Sequence, residues 1–114
     1  MAVSPEYLDY LRDQLQGFGP FDVRRMFGGA GLFRDGLMFA LVADDVLFFK
    51  VDDRNRPDFE AAGMKPFSYE RKGKTAALKS YYEAPPELPD DADDLSLWAG
   101  KAFDAALASA KPKR

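Results

Sequence analysis

Residues Leu37 to Ala43 form an unbroken apolar run, and Asp44-Asp45 turns it into a second, Val46-Leu47-Phe48-Phe49-Lys50-Val51. Apolar stretches of this length, bounded by turn residues, read as strands. Asp35-Gly36 lies just before the first and is the strongest hairpin signal of the chain, because glycine accepts the positive φ that a two-residue turn requires. Neighbouring strands of an antiparallel meander follow. With strict alternation, Leu37, Phe39 and Leu41 lie on one face and Met38, Ala40 and Val42 on the other. Both sets are apolar, whereas a sheet with one wet side alternates apolar and polar. The expectation is that helices cover both faces, or that a second subunit of a homodimer covers one; the dimer is the favoured reading.

The flanking segments supply the helices. Ser4-Pro5-Glu6 is a helix start, with a capping hydroxyl, a proline suited to the first turn and an acid at the positive dipole end. Tyr7, Leu8, Leu11, Leu15 and Phe18 recur at helical spacing until Gly17 and Gly19-Pro20 stop the helix. Val23 to Phe27 is a short strand, Gly28-Gly29-Ala30-Gly31 bends or bulges the chain, and Leu32 to Arg34 resumes it. A short middle helix carries Pro57 in its first turn and Phe59, Ala61 and Ala62 inside, ending at Gly63. Pro66 to Tyr69 and Ala77 to Glu83 are two more strands joined at Lys72-Gly73. A last helix begins among Asp90, Asp91, Asp93 and Asp94 and buries Leu95, Trp98, Ala99, Ala102, Phe103, Ala106 and Leu107. Lys111 to Arg114 reads as a frayed basic tail. The fold class is therefore α+β: an antiparallel sheet of about five to six strands flanked by an N-terminal, a short middle and a C-terminal helix. With 114 residues, no repeat and no composition break, residues 1–114 are expected to form a single domain.

Composition narrows the chemistry. The chain has neither Cys nor His. That removes disulfides, thiolate nucleophiles, cysteine-type zinc sites and the commonest general base and zinc ligand. Catalysis would have to use carboxylate, Lys, Tyr or Arg chemistry, and no local motif selects such a set, so a binding or regulatory module is expected rather than an enzyme. No cofactor and no metal are expected. No apolar run approaches a membrane span, and the N-terminus lacks the pattern of a signal peptide, so the expected location is cytoplasmic. A net charge of −3 argues against strong nonspecific attraction to DNA while leaving room for a local basic patch.

Three stretches could carry a function. Arg24-Arg25-Met26-Phe27-Gly28-Gly29-Ala30-Gly31 is the most distinctive. It reads either as an anion cradle, with Arg24, Arg25 and the amides of Gly28, Gly29 and Gly31 approaching a phosphate, or as a glycine-rich bulge between strands. The spacing matches neither the P-loop nor the dinucleotide fingerprint. Lys65, Arg71, Lys72, Lys74 and Lys79 interleave with Phe67, Tyr69, Tyr81 and Tyr82. That pattern suits single-stranded nucleic acid, or an edge hairpin whose lysines block aggregation; the second is preferred. Glu83 to Asp94 carries six carboxylates without a base and reads as a solvated helix start rather than a calcium loop.

Read in order, Arg25-Met26-Phe27-Gly28-Gly29-Ala30-Gly31-Leu32-Phe33, Asp35-Gly36-Leu37-Met38-Phe39-Ala40 and Leu47-Phe48-Phe49-Lys50-Val51 resemble the N-terminal domain of the TfoX/Sxy family. Pro66-Phe67-Ser68-Tyr69, Tyr81-Tyr82 with Pro85, and Leu97-Trp98-Ala99 through Ala102 are similar to the rest of that domain. The resemblance implies an antiparallel sheet flanked by helices, and bacterial regulators of natural competence that act as transcriptional co-activators of DNA-uptake genes. It supplies no catalytic residues and no cofactor. Full-length members carry a second, C-terminal domain, so a stand-alone copy keeping the fold without the competence role is a further expectation. The candidate contact surface is Arg24, Arg25, Gly28, Gly29 and Gly31 with Lys72, Lys74 and Lys79. It would meet a protein partner, which could belong to the transcription machinery, in preference to DNA; the alternative is a small anion- or nucleotide-binding module.

Overall fold

The computed structural model describes residues 3–26 and 28–110, with Glu70 and Arg71 described in their backbone alone. Phe27, the tail Lys111–Arg114 and the Arg71 side chain, all named above, lie outside that description. Ser4 caps α1 (Pro5–Gln14): its hydroxyl accepts from the Tyr7 amide at 3.1 Å. Four strands then run as a meander, β1 (Asp22–Met26), β2 (Gly29–Arg34), β3 (Leu37–Ala43) and β4 (Val46–Lys50). After α2 (Arg56–Ala61) come β5 (Pro66–Arg71) and β6 (Lys74–Glu83), a 3-10 turn at Leu88–Asp90, and α3 (Ala92–Ala110). The six strands form one antiparallel sheet in the order β1-β2-β3-β4-β6-β5. The fold is α+β, as expected. Among the described residues no helix is long and apolar enough to cross a membrane.

Three hairpins close through left-handed pairs: Asp35 and Gly36 (φ 53° and 79°), Asp44 and Asp45 (54° and 57°), and Lys72 and Gly73 (52° and 77°). Two consecutive positive φ values define the turn whose twist matches that of the flanking strands.

The alternation expected for β3 is broken by a bulge. Leu32 pairs with Ala40 and Phe33 with Met38, so Phe39 has no partner on β2. An extra residue places two neighbours on the same side. Phe39 accordingly meets Phe18 and Phe21 at ring distances of 4.8 and 5.9 Å, while its neighbour Ala40 is fully buried opposite Phe49. Leu37, Phe39, Ala40 and Val42 therefore serve the helix side, and Met38, Leu41 and Ala43 face the other way. The expected grouping of Leu37, Phe39 and Leu41 against Met38, Ala40 and Val42 is corrected on this point.

The helices share one face of the sheet. α3 packs across β3 and β4, and α1 packs on α3. Phe59 of α2 meets Trp98 of α3 at 4.7 Å, so α2 belongs to the same layer. Leu8, Leu11, Leu15, Phe39, Phe49, Phe59, Leu95, Ala99 and Ala102 make the core between the layers. Of the two coverings foreseen, helices on both faces is the one the described residues do not show. Leu107, expected in the buried stripe, is 42% exposed. At 100° per residue it lies about 120° around the helix from Leu95, off the buried side.

Asn55 is the one buried polar residue among those described. Its side-chain oxygen accepts from the Asp52 amide at 2.8 Å and its Nδ2 donates to the Lys50 carbonyl at 3.0 Å, tying the end of β4 to the start of α2. Asn55→Ala strands both backbone groups and is expected to cost about 1–3 kcal/mol, read as a lower urea midpoint with an unchanged slope.

Candidate functional site

Strand register decides where the conspicuous arginines go. Arg24 pairs with Gly31 and Arg25 with Ala30, so they lie on opposite faces of β1. Arg25 turns to the helix side, where its guanidinium donates to the Val3 carbonyl at 3.2 Å. Arg24 lies on the open face, its guanidinium carbon 4.8 Å from the centre of the Phe33 ring. The two are not brought to one ligand. Nor does the glycine segment bulge as a block: Gly29–Arg34 is a strand, Gly28 precedes it at φ 77°, and the bulge between β2 and β3 is at Phe39.

Gly29 and Gly31 have separate steric reasons. A Cβ on Gly29 would stand 2.3 Å from the Val42 carbonyl oxygen, so β2 and β3 approach there only without a side chain. A Cβ on Gly31 would meet Met38 Sδ and the Phe33 ring at 2.8 Å and the Met26 methyl at 2.9 Å. Side chains of the open face have collapsed onto the bare backbone at Gly31.

That collapse builds one wall of a groove of about 530 Å³, with Met26, Gly29, Met38, Leu41 and Ala43 along it. The opposite wall comes from the far end of the sheet, Phe67 and Tyr69 of β5 and Leu78 of β6. Two features curl the sheet so that both ends line one cleft. Pro66 pairs with Tyr82 but Phe67 with Leu78, which leaves residues 79–81 of β6 without β5 partners. β6 joins β4 only through Tyr81, Tyr82 and Glu83, so the rest of the hairpin is free to bend. Phe67 packs edge-on to Phe48 at 4.9 Å and parallel to Tyr69 at 5.9 Å. Tyr69 and Leu78 are 40% and 37% exposed. Of the four aromatics interleaved with the lysines, Phe67 and Tyr69 line this open cleft, while Tyr81 and Tyr82 are buried.

Of the lysines, Lys72 and Lys74 are exposed at the hairpin tip and Lys79 is exposed at its bend. Of the Arg24–Gly31 segment, Met26, Gly29 and Ala30 line the groove, and of the Lys72–Lys79 hairpin Leu78 does; Arg24, Arg25, Lys72, Lys74 and Lys79 are not among its lining residues. Met38, Leu41 and Leu78 escaped the sequence reading as site residues; for Met38 and Leu41 the signal was a strand apolar on both sides. Elsewhere the carboxylates cap: Asp91 accepts from the Asp94 amide at 3.1 Å, and Asp90 accepts from the Tyr10 hydroxyl. Among the described residues no group of three or more carboxylates could hold a metal ion.

Tyr81 anchors the middle of the open face. It pairs with Lys50, whose ammonium lies 5.2 Å from its ring, and its hydroxyl donates to the Met38 carbonyl at 3.1 Å. Burial pushes its pKa up from 10.0 to about 12. A raised folded value means stabilisation present below pH 10 and lost as pH rises toward 12. Tyr81→Phe is expected to remove one late-ionising phenol from an alkaline absorbance titration and to flatten the loss of stability over that interval. Gly29→Ala is expected to cost at least about 1–3 kcal/mol, as overpacking against backbone does, measured by thermal unfolding. An unchanged melting temperature would contradict the close approach of β2 and β3.

Comparison with known proteins agrees with this geometry. Residues 13–106 match the family model of the TfoX N-terminal domain. The chain is also similar to the DNA transformation protein TfoX1 of Aliivibrio fischeri, 37% identical over 65 residues. That match takes in 57% of this chain and 31% of the relative, so it spans about a third of that protein. With a family match running from within α1 to near the end of α3, the chain belongs to the TfoX N-terminal domain family.

Proposed function

We propose that this domain is a competence-linked transcriptional co-regulator that works in the cytoplasm by protein contact, through the open face of its sheet. One observation carries the reading. All three helices lie on one side, and the side left open is an apolar cleft with half-exposed Tyr69 and Leu78 in its wall. Exposed contiguous apolar surface marks interaction sites. Family membership and the likeness to a DNA transformation protein supply the biological setting. The alternative, an anion- or nucleotide-binding module, draws no support from Arg24 and Arg25 on opposite faces. An enzymatic role gains nothing from an aliphatic cleft whose one lining hydroxyl is that of Tyr69.

The test uses a naturally transformable bacterium that encodes the chain. Deleting its gene should lower transcripts of DNA-uptake genes, and the wild-type copy should restore them. Tyr69→Ser with Leu78→Gln should fail to restore them at equal cellular abundance. Both positions are exposed enough that the change costs the fold only about 0.5 kcal/mol each. Uptake transcripts indifferent to the deletion would dispose of the competence role. Full restoration by the double variant would dispose of the open face as the contact surface.

A further inference from the structure

The groove has a chemical bias that its apolar lining does not express. One wall is the β5–β6 hairpin, and residues 66–83 carry four cations (Arg71, Lys72, Lys74, Lys79) against Glu70 and Glu83. That is a net +2 in a chain of net −3, so the remainder carries −5. The hairpin is a basic element of an acidic chain. Inside, Met26, Met38, Leu41 and Leu78 are aliphatic, and two of the four are methionines, which repack around varied apolar side chains. We infer that the occupant is a short acidic amphipathic segment of another protein, its apolar side chains seated in the groove and its carboxylates against Lys72 and Lys74 at the hairpin tip.

Two competing occupants fit the same surface less well. Nucleic acid would need ring faces for its bases, yet Phe67 is engaged by Phe48 in a T-shaped contact and by Tyr69 in a stacked one. The aliphatic remainder of the groove offers neither rings nor hydrogen-bonding groups to bases. A second copy docked by a two-fold axis would set the same patch against itself, and each copy brings the +2 wall. Like charges across such an interface oppose it, and opposite charges steer an acidic partner in.

This inference rests on the reading of the open face as a contact surface, and the experiment separates the two. The intact protein, carrying ¹³C-methyl methionine, is titrated with a synthetic peptide of leucines at helical spacing and glutamates elsewhere. Its twin has lysine for every glutamate, and a third arm uses oligothymidylate. The glutamate peptide should shift the Met26 and Met38 methyl signals and bind at least about tenfold tighter than its twin, the gap narrowing as salt rises. Lys72→Glu with Lys74→Glu should reverse that preference at an unchanged melting temperature. Equal affinity of the twins would overturn the acidic partner while leaving the cleft a protein-contact surface. Methyl shifts produced by oligothymidylate alone, or by no probe, would overturn both. Methyl shifts that depend on protein concentration without any peptide would make a second copy the occupant and overturn the inference.

Discussion

A single unpaired residue, Phe39, sets the division of the sheet into a buried and an open side. Strict alternation along Leu37–Ala43 would send Phe39 and Ala40 to opposite faces. The bulge sends both to the helices, where Phe39 enters the ring cluster of Phe18 and Phe21 and Ala40 seals against Phe49. Side chains of that size lost from the core would cost about 3–5 kcal/mol, so the bulge has a strong reason to persist. Its consequence falls on the far side of the strand. Met38, Leu41 and Ala43 are left together without a helix over them, and they become the floor of the groove.

The glycines next to β1 belong to the same arrangement. Their spacing invites a phosphate-cradle reading, but the registers give each a local steric duty. Gly28 turns, Gly29 lets β3 come close, and Gly31 makes room for Met26, Phe33 and Met38 to fold down. The two arginines are likewise divided by pleat, one binding the Val3 carbonyl and the other lying over Phe33. Adjacent residues on a strand cannot share a target on one face. A cluster in sequence is therefore not a cluster in space when it lies on a strand.

Charge follows a different logic from packing here. Of the acidic residues around the start of α3, Asp91 caps the Asp94 amide and Asp90 accepts from the Tyr10 hydroxyl. The lysines of the β5–β6 hairpin have no comparable structural task and remain exposed at its tip and bend. In a net-negative chain, this leaves the cleft bordered by a net-basic hairpin.

The local signals were sufficient for most of the elements, though β2 starts at Gly29 and β6 at Lys74, each three residues before the apolar pattern begins. The Ser4 cap, the three two-residue turns, the proline-started middle helix and the apolar runs each act within a few residues, so their outcome is written in short windows of sequence. The same runs also announced that something besides solvent must account for an all-apolar strand. Tertiary structure alone decided the rest, because it depends on pairs far apart in the chain. Only the β2–β3 register shows that Phe39 is the extra residue, and only the curl of β6 away from β4 brings Leu78 toward Met26. Spacing tells which residues could share a face; which faces are closed, and by what, is settled where the strands pair.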